Sequence, residues 1–528
     1  MKVQLLALGA ALGAHLAAAE TPDVETQGFP GFPDFPDFPK FPFPGDWYNR
    51  FRQVSPEKLM WFIREKDLKA GAKKLEDLAY ASPERNRVFG TKGHEATVDY
   101  LVKELKRTHY YDVSKQEQVH LWSKSKATLK VNGEEKEVLP MTYSPSGDAK
   151  AELVLVNNLG CVPEDFPPEV DGKIALILRG ECSFGLKSAL AGSAKAVGAL
   201  IYNNIPGSFS GTLGAPSDPA GPYPPTVGVS KEIGDDLAAR LGSETLTGEL
   251  FANSQFENRT TYNVIATSKG GDKNNIIAIG GHSDSVEAGP GINDDGSGII
   301  GNLVIAKALA RFKVPNAVRF LFWTAEEYGL LGSQYYVDNL SPEERDKIRL
   351  YLNFDMTASP NYAYMIYDGD GSTFNFTGPS GSAEIEKLFQ KYYEDRNTAH
   401  IPSEFDGRSD YDAFISVGIP AGGIFTGAEG IKTEEQAKMF GGTAGIAYDP
   451  NYHGVGDDAS NVNMKAWMMN TKGAAYALAT YARSTKNLPP KDPPPKQENQ
   501  ARALSNGRVK PFNGKCDDIH GHGRRCTY

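Results

Sequence analysis

The 528-residue sequence predicts an α/β protein, with a mostly parallel central sheet, helices on both faces and an inserted β-rich module. Three observations lead there. From about Tyr262 to Arg483, β-prone runs (NNIIAIGG, AVRFLFW, RLYLNF) alternate with helical ones (IIGNLVIAKALARF, LLGSQYYVDNL), as in parallel strands joined by crossover helices. From about Trp122 to Glu249 the texture changes to short runs, LVLVNN, KIALILRG, ALIYNN and TVGVS, between turns rich in Gly and Pro. The length also exceeds what one core usually serves.

The elements follow in chain order. Residues 1–19 read as a secretory signal peptide: Lys2 precedes an apolar stretch from Val3 to Leu16, and Ala17-Ala18-Ala19 offers a small-residue cleavage site. That stretch is too short to span a bilayer, and no other segment is long and apolar enough. The expectation is a secreted protein without a membrane partner, the vacuolar lumen being the alternative destination. Residues 20–54 form a leader or propeptide whose GFPGFPDFPDFPKFPFPGD run repeats Phe-Pro at polyproline II spacing. Ser55-Pro56-Glu57 supplies a helix cap and first-turn proline, helical periodicity runs to about Ala81, and a second helix spans Lys92 to Arg107. Residues 55–121 thus begin the main domain, 122–255 form the insert, and 256–485 complete the main domain. Residues 486–528 are a Pro-rich linker and tail.

Net charge is −10, which argues against a nucleic-acid partner. The four cysteines fall as local pairs. Of three possible connectivities, Cys161–Cys182 and Cys516–Cys526 each close a short loop. Glycosylation acceptors stand at Asn258, Asn375 and Asn339, the last followed closely by Pro342.

Ligands of open α/β sheets bind beyond the carboxyl ends of the strands. At those ends lie His282-Ser283-Asp284, then Asn293-Asp294-Asp295-Gly296 at a helix start, Glu326-Glu327, Asp355, and finally Tyr452-His453. Taken singly, a Glu-Glu pair is usually solvated surface, a histidine structural, and Asp-Asp-Gly a turn. Together, His282, His453, Asp294, Glu327 and Asp355 can hold two zinc ions, with Asp294 placed to reach both. Adjacent residues at a strand end diverge, so Glu327 can bind metal while Glu326 faces water as general base. His94-Glu95 begins like a zinc-protease helix but lacks its second histidine, Val98 standing there. The tail histidines His520 and His522 sit within a loop read as disulfide-closed.

GGHSDS, GINDDGSG, TAEEYGLLGS, NFDM, GRSDYDAF and YHGVGDD, in that order, resemble the two-zinc aminopeptidase family of aminopeptidase Y and the fungal secreted leucine aminopeptidases. The resemblance covers about Arg85 to Arg483, and the insert looks like a protease-associated domain. It implies His282 and Asp355 on one zinc, Glu327 and His453 on the other, Asp294 bridging and Glu326 as base. It further implies that Asp284 orients His282, that Tyr452 stabilises an oxyanion and that Arg408 faces the substrate. The substrates implied are peptides with a free N-terminus, and the chain is expected to act as a monomer. Carboxypeptidase or glutaminyl cyclase chemistry, or a non-catalytic binding module, are the alternatives on this scaffold.

Overall fold

The strand Asp272–His282 is apolar without alternation because both of its faces are covered; Ile276, Ile277, Ala278 and Ile279 are all buried. In the computed structural model, which describes residues 52–491 apart from Ser210 and Asn375, this strand lies at the centre of the main domain. Asn316–Trp323 and Ile348–Phe354 pair with it in parallel on either side, and Ala421–Phe425 runs parallel to the latter. Antiparallel neighbours flank this parallel centre, Met365–Tyr367 at one end and Thr247–Ser268 at the other.

Successive side chains point to opposite faces. Ile277, Ile279, Phe320 and Leu352 join a core with the helices Gly296–Leu309 and Met464–Arg483. Ala278, Leu321, Trp323 and Tyr351 join another with Leu331–Asp338 and Tyr411–Ile415. Helices therefore cover both faces. The second predicted helix is present as Lys92–Arg107, capped by the Thr91 side chain. The first is split into Pro56–Trp61 and Glu65–Ala81. Arg64 between them takes an extended conformation, and its guanidinium pairs with Asp67 at 2.8 Å.

A two-stranded ribbon carries the insert. Tyr111–Val131 and Thr247–Ser268 pair antiparallel from Tyr111↔Ser268 to Val131↔Gly248, running through the expected boundaries near 122 and 255. One end of the ribbon joins the main sheet through Asn316–Trp323 and the other joins Gly147–Leu155 of the insert, so 14 strands form one continuous sheet. Within the insert, Ile174–Leu178, Gly198–Tyr202 and Thr226–Val229 are parallel, with the helices Phe184–Ser193 and Lys231–Leu241 between and after them. The Cys161–Cys182 disulfide closes a loop of the insert, with Cα atoms 5.7 Å apart. Asn258 and Asn339 are exposed. The signal peptide, the Phe-Pro run, the tail with Cys516 and Cys526, and Asn375 lie outside the described residues. Among the described residues no helix is long and apolar enough to cross a membrane.

Candidate metal centre

Each candidate side chain reaches the site from a strand end or a tight loop. His282 is the last residue of the central strand, and Asp355 directly follows Ile348–Phe354. Asp294 precedes the helix Gly296–Leu309, whose cap Asp295 accepts from Gly298 N at 2.8 Å. The Asp294–Asp295 peptide bond is cis. Glu326 and Glu327 do not diverge by strand alternation as the sequence reading expected. The strand ends at Trp323, Ala325 turns left-handed, and a single 3₁₀ turn, Glu326–Tyr328, separates the two carboxylates. Ala325 (φ +54°), Met356 (φ +48°) and His453 (φ +54°) all hold positive φ at the site, a conformation that costs a non-glycine residue about 1–3 kcal/mol.

The five proposed ligands converge. His282 Nε2 lies 3.0 Å from Asp294 Oδ1 and 3.5 Å from Asp355 Oδ1. His453 Nε2 lies 2.9 Å from Glu327 Oε2 and 3.2 Å from Asp294 Oδ2. Two triads thus share Asp294, one carboxylate oxygen facing each. Glu326 Oε2 sits 3.9 Å from His282 Nε2. Asp284 Oδ1 accepts from Glu326 N at 3.1 Å and lies 3.6 Å from His282 Nδ1, beside the ring but beyond hydrogen-bond length. The Tyr452 ring stacks on His453 with centroids 3.8 Å apart. Arg408 lies 3.5 Å from both Asp406 and Glu429, and it lines a cleft of about 420 Å³, counted with its open mouth, together with Asp294, Glu326, Asp355 and Tyr452.

Asp284, Asp294, Glu326, Glu327 and Asp355 are all buried, which is costly for so many like charges unless cations balance them. Burial pushes the Glu326 carboxyl well above its usual range, and Asp355, Asp410 and Glu327 add to the rise. Burial raises Glu327 as well. Burial alone would lower the imidazoles, but Glu326 and Asp355 drive His282 well above its usual value, and Glu327 and Asp294 drive His453 up to about 10. Dications on the same atoms would balance these carboxylates directly.

The donor set fits zinc, which takes imidazole and carboxylate ligands. His282, Asp294 and Glu327 present ligand atoms within 4.8 Å of one another, as do His282, Asp295 and Asp355. Glu326 Oε1, Glu327 Oε1 and Asp355 Oδ1 are buried and receive no hydrogen bond from the described residues, as oxygens meant for an ion would. Asp295 serves otherwise: its oxygens accept from the backbone of His282, Gly298 and Met356.

Several supporting groups escaped the sequence reading. Ser409 Oγ donates to Asp355 Oδ2 at 2.6 Å, and Asp457 accepts from the backbone N–H of Asn293 and Asp294 at 2.7 and 3.0 Å. Asp410 is buried, and burial pushes it up to about 8. Their signal lay in proximity, since each sits inside GRSDYDAF or YHGVGDD, one to four residues from Arg408 or His453. His94 lies beneath the site, its Nε2 3.0 Å from Ser283 Oγ.

A buried cage of histidines and carboxylates at the carboxyl edge of an α/β sheet defines the metallohydrolase class. Residues 263–478 match the model of peptidase family M28, and residues 149–237 match the PA domain. A probable leucine aminopeptidase 2 of Aspergillus oryzae is 57% identical over 89% of this chain and 94% of its own length. Leucine aminopeptidase 2 of Arthroderma otae is 56% identical over 86% of this chain and 91% of its own length. Among solved structures, the aminopeptidase of Aneurinibacillus sp. strain AM-1 superposes with a TM-score of 0.66 at 29% identity, covering 83% of this chain and 99% of that one. The zinc aminopeptidase of Bacillus subtilis shares the fold, with a TM-score of 0.58 at 23% identity over 80% and 96%. The chain belongs to peptidase family M28, with a PA domain inserted.

Proposed function

We propose that the zinc-aminopeptidase activity of this family runs here through two zinc ions, held by His282 and Asp355 on one side, Glu327 and His453 on the other, and Asp294 between. The observation that carries this reading is the sharing of Asp294 by two histidine–carboxylate triads. When bound, such a pair polarises the scissile carbonyl and acidifies nearby water.

The chain's own residues do the rest. The first residue of the peptide enters the cleft beside Met356 and Phe425, which suits an apolar side chain, as the name of the fungal relatives would have it. Arg408 and Asp406 line the same cleft. Glu326, with a proton affinity raised by burial, takes a proton from the attacking water and passes it to the leaving amine. Burial keeps the Tyr452 hydroxyl protonated, its pKa well above the usual value, so it can donate to the developing oxyanion. Asp284 fixes the Glu326 backbone and lies against His282. The signal-like leader and the Cys161–Cys182 disulfide suit an oxidising compartment outside the cytosol, and the exposed Asn258 and Asn339 are available to carry glycans there.

The test is Glu326→Gln. It is expected to retain two zinc ions per chain by metal analysis, yet to lose roughly 10²–10⁴-fold in kcat on leucine p-nitroanilide. A variant of near wild-type rate removes Glu326 from the proton pathway. One zinc per wild-type chain defeats the paired centre.

A further inference from the structure

Two clefts reach the candidate centre. The first, described above, is lined by Asp294, Glu326, Asp355 and Tyr452. A second, of about 860 Å³ with its open mouth, has Glu327, Tyr328 and His453 at its inner end. The two share no lining residue. They abut through two consecutive pairs, Glu326–Glu327 and Tyr452–His453, so a chain passing from one to the other crosses the acid cage.

The second cleft is built by both parts of the molecule. One wall comes from the insert and its ribbon, including Ser125, Thr142 and Thr212. The other is the loop after His282, including Ala288. Lys124 Nζ on the ribbon meets Glu287 Oε2 of that loop at 2.5 Å and ties the walls together. Thr142 is bridged to Thr212 of the PA domain, whose backbone continues the wall.

An aminopeptidase holds one residue before the scissile bond and all the others after it. The smaller cleft, apolar at Met356 and Phe425, suits the single residue, and the larger suits the remainder. We infer that the groove between the insert and the peptidase domain binds the peptide residues that follow the scissile bond. The PA domain is then part of the substrate site. This rests on the aminopeptidase reading above. Hydroxyls both donate and accept, so Thr142 and Thr212 match the amides of an extended backbone rather than a particular side chain. The groove takes oligopeptides with little selection on their downstream sequence.

The experiment compares kcat/KM of the zinc-loaded full chain for two substrates: leucine p-nitroanilide, with no peptide beyond the cleaved bond, and a leucyl-oligoglycine peptide. Thr142→Arg and Ala288→Trp obstruct the groove from opposite walls. Each is expected to cut the peptide-to-anilide ratio of kcat/KM by about tenfold or more, chiefly through KM, and Thr142→Ser to restore it. A ratio that stays at the wild-type value in both folded variants overturns the groove while leaving the aminopeptidase reading intact. If Thr142→Arg does not fold by circular dichroism, Ala288→Trp decides alone. A wild-type chain that cleaves neither substrate overturns both.

Discussion

Asp355 uses its two oxygens differently. Oδ2 accepts the Ser409 hydroxyl at 2.6 Å, while Oδ1 faces His282 at 3.5 Å and is offered no hydrogen bond by the described residues. A carboxylate held on one side is aimed on the other, so Ser409 sets the direction in which Asp355 presents itself. Ser409→Ala frees that rotation without touching Glu326. Partners of this kind are worth roughly 10–100-fold in metal affinity, and a loss of that size is expected, concentrated in one of two zinc equivalents in a competition titration with a chelator. Unchanged affinity for both would mean that Asp355 is oriented by something else. Asp284 differs in kind: its contact is with a backbone N–H, so it places the turn that carries both glutamates.

At the scale of elements, the loop between His282 and Asp294 has little regular structure of its own and borrows its shape from Arg87. This wholly buried arginine donates to the carbonyls of Ser283, Pro290 and Gly291, while its backbone N–H donates to Ser285 Oγ. Burial pulls its pKa down, and Asp284 and Asp457 oppose that. Arg87→Met keeps the stem but strands three buried carbonyls. The expected cost is about 3 kcal/mol or more in urea unfolding, with a parallel loss of activity because the loop spans two proposed ligands. A wild-type midpoint would show that the loop holds its form unaided. No sequence rule pointed to Arg87, because its partners lie some 200 residues away and are carbonyls, which leave no mark in residue type. Helices such as Lys92–Arg107 were legible, since their apolar spacing and caps are local. The Glu326–Tyr328 turn was not: Ala325, which precedes it, is an ordinary helix former, yet it is left-handed and buried here.

Across the whole molecule, what could be read beforehand was whatever a strand end announces. His282, Glu327 and Asp355 each follow an apolar run, so their convergence was implied by the sheet. The continuity of the two domains through the ribbon was hidden, because pairs such as Leu121↔Asn258 join polar and apolar residues without a clear alternation. Two histidines lie at the ribbon: His94 is buried with its Nδ1 beside Thr261, and His120 is half-buried on the ribbon itself. Burial pushes His94, below the site, down to about 4, and likewise His120 on the ribbon, with Asp284 opposing in each case. Between pH 4 and 6.5 the unfolded chain then binds more protons than the folded one, so each histidine favours folding as pH rises and erodes it as pH falls. Asp410 and Asp457, pushed up to about 8 by burial, act with the opposite sign. A difference measurement removes them. Relative to His94→Gln, which does not titrate and can keep a hydrogen bond to Ser283, the wild type should lose about 2–3 kcal/mol of unfolding free energy between pH 7 and pH 4.5. Urea titrations of both proteins at the two pH values measure it. Parallel pH dependence would mean that His94 is protonated in the folded chain.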